Sequence, residues 1–445
     1  MRVLLCYLLV LFAILSIHCK PEEDSPTGGT TTPSLPTTQV YESIPKYIWP
    51  LATAQNDQSI LINYFDANGA AAGFMDFECG AVHGYDGHLG IDIAIFNFRA
   101  MDEGIAVVAA APGIVSALEV NKYDRVYWTP YTDSGNFVSI RYPDGSYTVY
   151  YHLKKNSVTV KVGEQVERGQ VIGFVGSSGA TPFPHLHLET KVANGAGGFT
   201  SVDPFAGRCN DIESIWEVQP DYIANQRLQI LDAGVFADFE YNGEYQYNEI
   251  KTLKDRPKAP AVIGKDLGRI GFWVQFQGSV GHQYDVRISK PDGTVFIEEH
   301  KTLAQKRRYG WHGMNWSMAD ITEADFGPWK AEILRNGTLE KEVSFEVGET
   351  TEFGPRFYPL AGTSAIIGQG ESVRELTWIG DEQDLTLSLD DESSGVRLNG
   401  NQLVIPAASN QAYRNHWVKV TAIDSKGRSD YYTLHLIDLS KPFKQ

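Results

Sequence analysis

The chain has 445 residues and a formal net charge of −17, from 38 Lys and Arg against 55 Asp and Glu. Its 22 Tyr, 21 Phe and 9 Trp exclude disorder of the whole chain, because so many rings supply ample surface to bury. An acidic surface repels phosphate backbones, so we expect no nucleic acid partner.

The N-terminus has the pattern of an export signal. Met1-Arg2 precedes an apolar run from Val3 to Ile17, which predicts a signal peptide over residues 1–18. A single-pass anchor is the alternative, but a membrane-spanning helix needs about 20 apolar residues. Cys19 then stands where bacterial lipoproteins are cut and lipidated, which predicts a lipid anchor in the membrane and a location in the cell envelope, facing the periplasm or the cell surface. Residues 19–40 lack aromatic side chains and predict a disordered tether.

Short strands and turns fill residues 41–216, the predicted first domain. Phe137 to Tyr142 and Tyr147 to His152 read as two strands of a hairpin, with the turn at Pro143-Asp144-Gly145. Val107 to Val115 and Val171 to Val175 are further β-type runs. Cys79 and Cys209 suggest a disulfide in an oxidising compartment, with two buried free thiols as the alternative.

Two further segments, 217–350 and 351–445, also alternate like strands. In the first of them, Asn336-Gly337 is a strong signal for a hairpin turn, and Pro291-Asp292-Gly293 marks another turn. In the second, Asn399-Gly400 separates two strand-like runs. Segments of about 100 residues with many short strands suggest immunoglobulin-like β-sandwiches. Their aromatic residues are expected to lie in the cores rather than to form a sugar-binding platform.

Five side chains in the first domain are candidates for chemistry. His88 and Asp92 lie four residues apart on what reads as extended chain, so they share a face and suit a zinc ion. His185 and His187 point to one side of a strand, about 6–7 Å apart, so that one can bind a metal while the other faces what the metal binds. His152 belongs to a Tyr-Tyr-His-Leu run, and alone a strand histidine is more often a core residue. Each of these patterns also has a purely structural explanation.

Together, these motifs resemble the lysostaphin-type (LytM-like) zinc metalloendopeptidases, which cut the peptide cross-links of bacterial peptidoglycan. The resemblance spans Gly87 to Pro204 and fills all five expected positions in order. The motifs that carry it are His88-Leu89-Gly90-Ile91-Asp92, Ala109 to Val115, Tyr150-Tyr151-His152-Leu153, Val162 to Gly173, and His185-Leu186-His187. One departure is visible: Thr181-Pro182-Phe183-Pro184 stands where the family usually has small residues and a glycine.

The resemblance implies one zinc ion per chain, held by His88, Asp92 and His187, with His152 and His185 as the catalytic histidines. Together with the strand patterns of the two later segments, it predicts an all-β chain: a compact antiparallel β-sheet zinc peptidase domain, followed by two β-sandwich (immunoglobulin-like) domains. The implied function is hydrolysis of peptidoglycan peptides by a metal-activated water. Spacing does not decide which histidine takes the proton, nor which cross-link is cut.

Parts of the sequence are also compatible with two other functions. Strands spaced by glycine also resemble biotin or lipoyl carrier modules, but no acceptor lysine turn is evident. The stronger alternative is a non-catalytic cell-wall-binding or regulatory module on the same fold, since fold alone never proves function. Under either hypothesis, the two C-terminal domains could position the chain on the cell wall, bind a protein partner or act as spacers.

Overall fold

Strands dominate the computed structural model, as the all-β prediction requires, and the all-β fold class is confirmed. The structure describes residues 44–53, 58–69, 72–81, 83–126, 133–223, 228–237, 259–357, 364–367, 370–376, 378–379, 385–390, 392–408, 410 and 415–441. The predicted signal peptide, Cys19 and the tether up to residue 40 lie outside these residues. Within the described part of the chain, none of the helices has the length and apolar character that a membrane span needs.

The first domain is built on an antiparallel eight-stranded sheet with strand order β1-β2-β9-β6-β5-β4-β7, and β10 pairs with β9. A separate pair, β3 with β8, and the short helix α1 complete it. Their bounds are β1 Ser59–Asn63, β2 Ile91–Ile95, α1 Phe98–Glu103, β3 Ala106–Val108, β4 Gly113–Glu119, β5 Asn136–Arg141, β6 Tyr147–Leu153, β7 Gln165–Val166, β8 Val171–Phe174, β9 His185–Ala193 and β10 Phe199–Val202.

The predicted hairpin of β5 and β6 is confirmed, whereas two other local predictions are wrong. The run from Val107 to Val115 is not one strand, because the chain bends at Ala110 and Ala111 and passes from β3 to β4 in another sheet. Pro112 lies at this break, where its missing N–H group could not support a sheet hydrogen bond. His88 also lies outside the extended strand, since β2 begins only at Ile91.

Residues of the second domain form two sheets with orders β11-β13-β16 and β12-β18-β17-β14-β15. A cluster of buried side chains, including Phe272, Phe276 and Trp329, forms their common core. The predicted turn at Asn336-Gly337 is confirmed between β17 and β18, and both residues have positive φ, 52° and 75°. The elements are β11 Gln229–Phe236, β12 Ile263–Gly264, η1 Lys265–Leu267, β13 Arg269–Gly278, β14 Gln283–Ser289, β15 Val295–Thr302, β16 Arg307–Ser317, η2 Glu323–Asp325, β17 Gly327–Arg335 and β18 Thr338–Gly348.

The third domain has sheets of order β20-β27-β26-β23 and β21-β25-β24, and a pair of β19 with β22. Its buried cluster contains Leu403, Val418 and Leu434. The elements are β19 Arg356–Phe357, β20 Ser364–Ile367, β21 Ser372–Glu375, β22 Trp378–Ile379, β23 Thr386–Leu389, η3 Glu392–Ser394, β24 Arg397–Asn399, β25 Gln402–Ile405, β26 Asn415–Ile423 and β27 Ser429–Asp438. The exact bounds of the predicted domains stay predictions.

A disulfide joins Cys79 to Cys209, with their Cα atoms 5.2 Å apart and 130 residues between them in sequence. The backbone is paired at the same place, since Cys209 N donates to Phe77 O over 2.7 Å. Of the two alternatives for these cysteines, the bridge is therefore the one found. It ties the segment between β1 and β2 to the chain beyond β10.

The second domain packs on the first through a small apolar cluster. Ile60, Ile62 and Ala94 are buried there beside Leu231, and the partly buried rings of Phe96, Phe183 and Tyr309 pack against them. Two glutamines of β13 add polar contacts: Gln275 donates to Phe96 O over 2.6 Å and Gln277 donates to Leu61 O over 3.0 Å. The second domain therefore lies against β1 and the end of β2.

Candidate metal centre

Sheet register brings the predicted ligands together. β9 lies between β2 and β6, and His187 is the direct partner of Asp92 on one side and of Tyr151 on the other. Side chains of directly opposed residues in an antiparallel pair lie about 4.5–5.5 Å apart at Cβ. His88 joins them from the loop before β2, where Gly87 turns the chain with a φ of 77°. Residues 95 positions apart in sequence thus become neighbours.

The three side chains form a tight cluster that can hold a metal ion. His88 Nε2 lies 3.2 Å from His187 Nδ1 and 3.2 Å from Asp92 Oδ1, and His187 Nδ1 lies 2.8 Å from Asp92 Oδ1. With Zn–N bonds of about 2.0–2.1 Å, tetrahedral angles separate two ligand atoms by about 3.3 Å. Two imidazoles and a carboxylate at this spacing therefore fit a zinc ion in size and in chemistry.

Hydrogen bonds orient the ligands from outside the cluster. His88 Nδ1 lies 2.6 Å from Tyr64 O, and because a carbonyl only accepts, this nitrogen carries a proton; in the neutral ring, Nε2 then keeps its lone pair. Asn63 Nδ2 donates to Asp92 Oδ2 over 2.6 Å, which leaves Oδ1 to the cluster. The register of β1 with β2 shifts between Leu61 and Asn63, and such a bulge re-aims a side chain. The last residue of β1 and the residue that follows it thus orient two of the three predicted ligands.

Gly90 allows His187 to come this close. A Cβ atom at position 90 would lie 2.8 Å from His187 Nε2, 2.9 Å from its Cε1 and 2.5 Å from Leu188 O. Any side chain there would push the His187 ring or the β9 backbone away. The glycine between the first two ligand positions is therefore required by the packing of the third.

His152 and His185 lie beside the cluster, with their ring centroids 4.7 Å apart. His152 is skipped in the register of β5 with β6 and has a φ of 61°, so it is the extra residue of a bulge. Its Nδ1 lies 2.7 Å from Ser178 O, and His185 Nδ1 lies 3.0 Å from Phe183 O. Both carbonyl partners require protonated Nδ1 atoms. In each neutral ring, Nε2 is therefore left as the proton acceptor.

Electrostatics favour an ionised Asp92 carboxylate and an uncharged His152 ring. Burial would raise the pKa of Asp92, but the charges of His88 and His185 and its hydrogen bonds hold it well below the usual range. Burial of the His152 ring, with the charges of His185 and His187, lowers its pKa well below the ordinary value. At neutral pH, the Asp92 carboxylate is thus anionic and the His152 ring is uncharged.

The structure brings all five predicted residues together, although their roles as ligands and catalysts stay predictions. Tyr85, half exposed, lies over His88 with ring centroids 4.6 Å apart, and Tyr151 lies 5.7 Å from the His187 ring. His83 is buried outside the cluster, edge-on to Tyr64. Sequence reasoning missed Asn63 and the Tyr64 carbonyl, since no motif marks them and only strand pairing reveals them.

Comparison with known proteins concerns the same part of the chain. Residues 86–204 match the model described as Peptidase family M23. The peptidoglycan DD-endopeptidase ShyC of Vibrio cholerae is 36% identical over 89 residues, which are 20% of this chain and 18% of that protein. The glycyl-glycine endopeptidase ALE-1 of Staphylococcus capitis is 37% identical over 91 residues, 20% of this chain and 24% of that protein. The chain thus spans about a fifth of the length of these relatives.

A solved structure is similar over a comparable stretch. The catalytic domain of lysostaphin from Staphylococcus simulans shares 28% identity over 26% of this chain and 75% of that one, with a TM-score of 0.20. The full-length lysostaphin sequence is 36% identical over 91 residues, 20% of this chain and 18% of that protein. The resemblance predicted from the five motifs is confirmed by the family match and by these relatives.

Proposed function

Residues 86–204 form a domain of Peptidase family M23, and from this premise we propose that the chain is a zinc-dependent endopeptidase that hydrolyses peptide cross-links of bacterial peptidoglycan. The observation that carries the proposal is the convergence of His88, Asp92 and His187 at ligand spacing, with His152 and His185 beside them. The relatives that share this region are named as peptidoglycan and glycyl-glycine endopeptidases. Their names differ in the bond cut, so the proposal stays with the substrate class.

Zinc fits the ligand set because two imidazoles and one carboxylate leave a fourth position open, as hydrolytic sites require. A bound zinc ion supplies a Lewis acid that polarises the scissile carbonyl and lowers the pKa of water. His88 and His187 bind as neutral rings, and Asp92 brings one negative charge. Tyr64 and Asn63 keep the ligand atoms aimed inward.

The two remaining histidines handle protons. His152 is uncharged at neutral pH, and its Nε2 accepts the proton of the attacking water. His185 Nε2 lies 3.5 Å from Asp92 Oδ1, next to the ligand cluster, where a protonated Nε2 would donate to the negative charge that develops on the substrate. This division of roles follows from the neutral state of His152 and from the position of His185 beside an anion.

The same proposal covers location. An export signal over residues 1–18 and a lipid anchor at Cys19 would bring the peptidase to the cell wall, tethered by residues 19–40 to the membrane. The Cys79–Cys209 disulfide supports an oxidising compartment.

Digestion of purified peptidoglycan, followed by mass spectrometry of the muropeptides, tests the function. The wild type should contain about one zinc per chain and release new peptide ends, whereas His88→Ala and His187→Ala should lose both properties. His300→Ala, at an exposed histidine of β15, is the matched control and should keep both.

Two outcomes would contradict the proposal. A wild type that holds zinc and binds the wall but releases no peptide ends would identify a non-catalytic binding or regulatory module. Full zinc occupancy in both ligand variants would show that the ligand assignment is wrong.

A further inference from the structure

One cation of the second domain reaches the metal centre. Arg308, in β16, donates from Nη1 to Asn63 Oδ1 and, over 2.9 Å, to Gly84 O. Asn63 in turn holds Asp92. Gly84 lies four residues before His88, in the loop that carries this ligand. A single guanidinium therefore contacts both segments that orient the predicted metal ligands.

The side-chain amide of Asn63 can bond Arg308 and Asp92 at the same time in one orientation only. Its side chain is buried, 6% exposed, between the guanidinium of Arg308 and the carboxylate of Asp92. The amide oxygen must face the cation and the amide NH₂ must face the anion, since the reversed group would oppose donor to donor and acceptor to acceptor. Arg308 thus fixes which way the amide points, and the amide fixes Asp92 Oδ2.

The residue next to Arg308 determines where β16 lies. Tyr309 stacks on Phe183 with ring centroids 4.6 Å apart, and its single O–H group lies between two carbonyl acceptors, Ile95 O at 2.8 Å and Phe96 O. Phe183 is part of the 181–184 segment that departs from the family pattern. This departure therefore has a structural role: it supplies the ring against which the second domain is held, two residues before His185.

We propose that Arg308 is a positioning residue of the metal centre, acting through Asn63 on Asp92, so that the second domain completes the site. The inference rests on the zinc site of the proposed function and extends it across the domain boundary. Outer partners of metal ligands typically change metal affinity by about 10–100-fold when they are removed. Without Arg308, the amide of Asn63 loses the contact that fixes its orientation, and Asp92 loses a fixed donor.

Zinc affinity of the full chain is the primary measurement, by competition with a chelator. Arg308→Met should weaken it by about 10–100-fold. The visible spectrum of the cobalt-substituted protein should also change, because it reports on ligand geometry, which a role in folding alone would leave intact. Arg307→Met is the matched control, an exposed arginine on the same strand, and should leave affinity and spectrum unchanged.

A double-mutant cycle separates a relay from two independent effects. Asn63→Ala should weaken zinc affinity by itself, and adding Arg308→Met should then cost little more, since residues in one network are not additive. Full additivity of the two losses would overturn the relay. If Arg308→Met does not fold, Arg308→Lys keeps the charge without the planar fork, and should weaken affinity by up to about tenfold.

The experiments distinguish an error about the role of Arg308 from an error about the endopeptidase activity. Wild-type zinc affinity and an unchanged cobalt spectrum in Arg308→Met would overturn the inference, while release of peptide ends by that variant would leave the enzyme proposal standing. Weaker zinc binding in Arg308→Met, in a chain that releases no peptide, would support the inference and refute the enzyme. A wild type without a zinc site would overturn both.

Discussion

The second and third domains both pack against the first domain, but on different elements. The second domain contacts β1, the end of β2 and Phe183, and its Arg308 is bonded to Asn63 beside a predicted ligand. The third domain contacts α1 and β8: Arg99 lies 3.5 Å from Asp430, and the rings of Phe174 and His435 are 4.3 Å apart. Neither α1 nor β8 carries a predicted site residue.

The two interfaces illustrate two roles of an accessory β-domain: one stabilises the fold, and the other also contacts residues that orient a predicted metal site. Both interfaces pack rings together and join polar groups, by hydrogen bonds in the second domain and by an ion pair in the third, so both are expected to contribute to stability. Among the residues that the structure describes, only the second-domain interface continues, through a buried amide, to a group with a predicted chemical role. An accessory domain can thus belong to a site without touching substrate, and variants at the two interfaces should differ in metal affinity more than in stability.

The largest expected effect is the loss of cleavage rate when His152 or His185 is replaced. The effects of changes at the two domain interfaces can be compared with this loss. His152→Ala should lower the rate of muropeptide cleavage by about 10²–10⁴-fold, the usual contribution of a general acid or base, with zinc retained. His185→Ala should behave alike. Zinc content must be measured on the sample used for the rate, since His187 lies two residues from His185. Full activity in either variant would remove that histidine from the mechanism.

The disulfide within the first domain should have the next largest effect. Replacing Cys79 and Cys209 by Ala should lower the free energy of unfolding by about 2–4 kcal/mol, because the unfolded chain is no longer cross-linked. Urea unfolding of the oxidised wild type and the double variant measures the change. Labelling of both cysteines by alkylation without prior reduction would show that the bridge is absent from the protein.

The free energy of unfolding is expected to depend on pH through Lys154, which lies near Arg374 of the third domain. Burial lowers the pKa of Lys154 from 10.5 to about 8, despite the charges of Asp102 and Asp124, while Arg374 of the third domain adds to the lowering. Between these values the unfolded chain holds a proton that the folded chain has lost. The free energy of unfolding should therefore rise with pH from about 8 to about 10.5, by at most about 1.4 kcal/mol per pH unit.

Lys154→Met should flatten this slope relative to the wild type, measured by urea unfolding at a series of pH values. Lys155→Met changes its partly buried neighbour and is the control that should keep the slope. Equal slopes in Lys154→Met and the wild type would show that Lys154 is charged in the fold.

The smallest effect compares two arginines directly. Arg99 pairs with Asp430 and lies over the Tyr431 ring, but its side chain is 30% exposed. Arg99→Met should cost about 0–1 kcal/mol of stability, as solvated ion pairs do, and leave zinc affinity unchanged. Zinc affinity should be measured for Arg99→Met and Arg308→Met side by side. An equal fall in both variants would contradict the claim that only the second-domain interface affects the metal site.

Sequence predicted the parts of this molecule that local patterns encode. The Asn336-Gly337 hairpin follows from the positive φ that both residues tolerate, and the five site residues follow from ordered motifs. Asn63 and Arg308 could not be found, because their importance arises from the pairing of β1 with β2 and from the packing of a domain more than 200 residues further along. The bulge at His152 and the loop position of His88 depend likewise on register.

The position of β1 has one more consequence. β1 is the last strand of the eight-stranded sheet, and such an edge presents unpaired N–H and C=O groups to which a strand of another chain can add. Here Gln277 bonds the carbonyl of Leu61, and Ile60 and Ile62 are covered by the second domain. A chain cut after residue 216 would uncover this apolar edge and become prone to aggregation. The second domain thus protects the solubility of the fold that it adjoins.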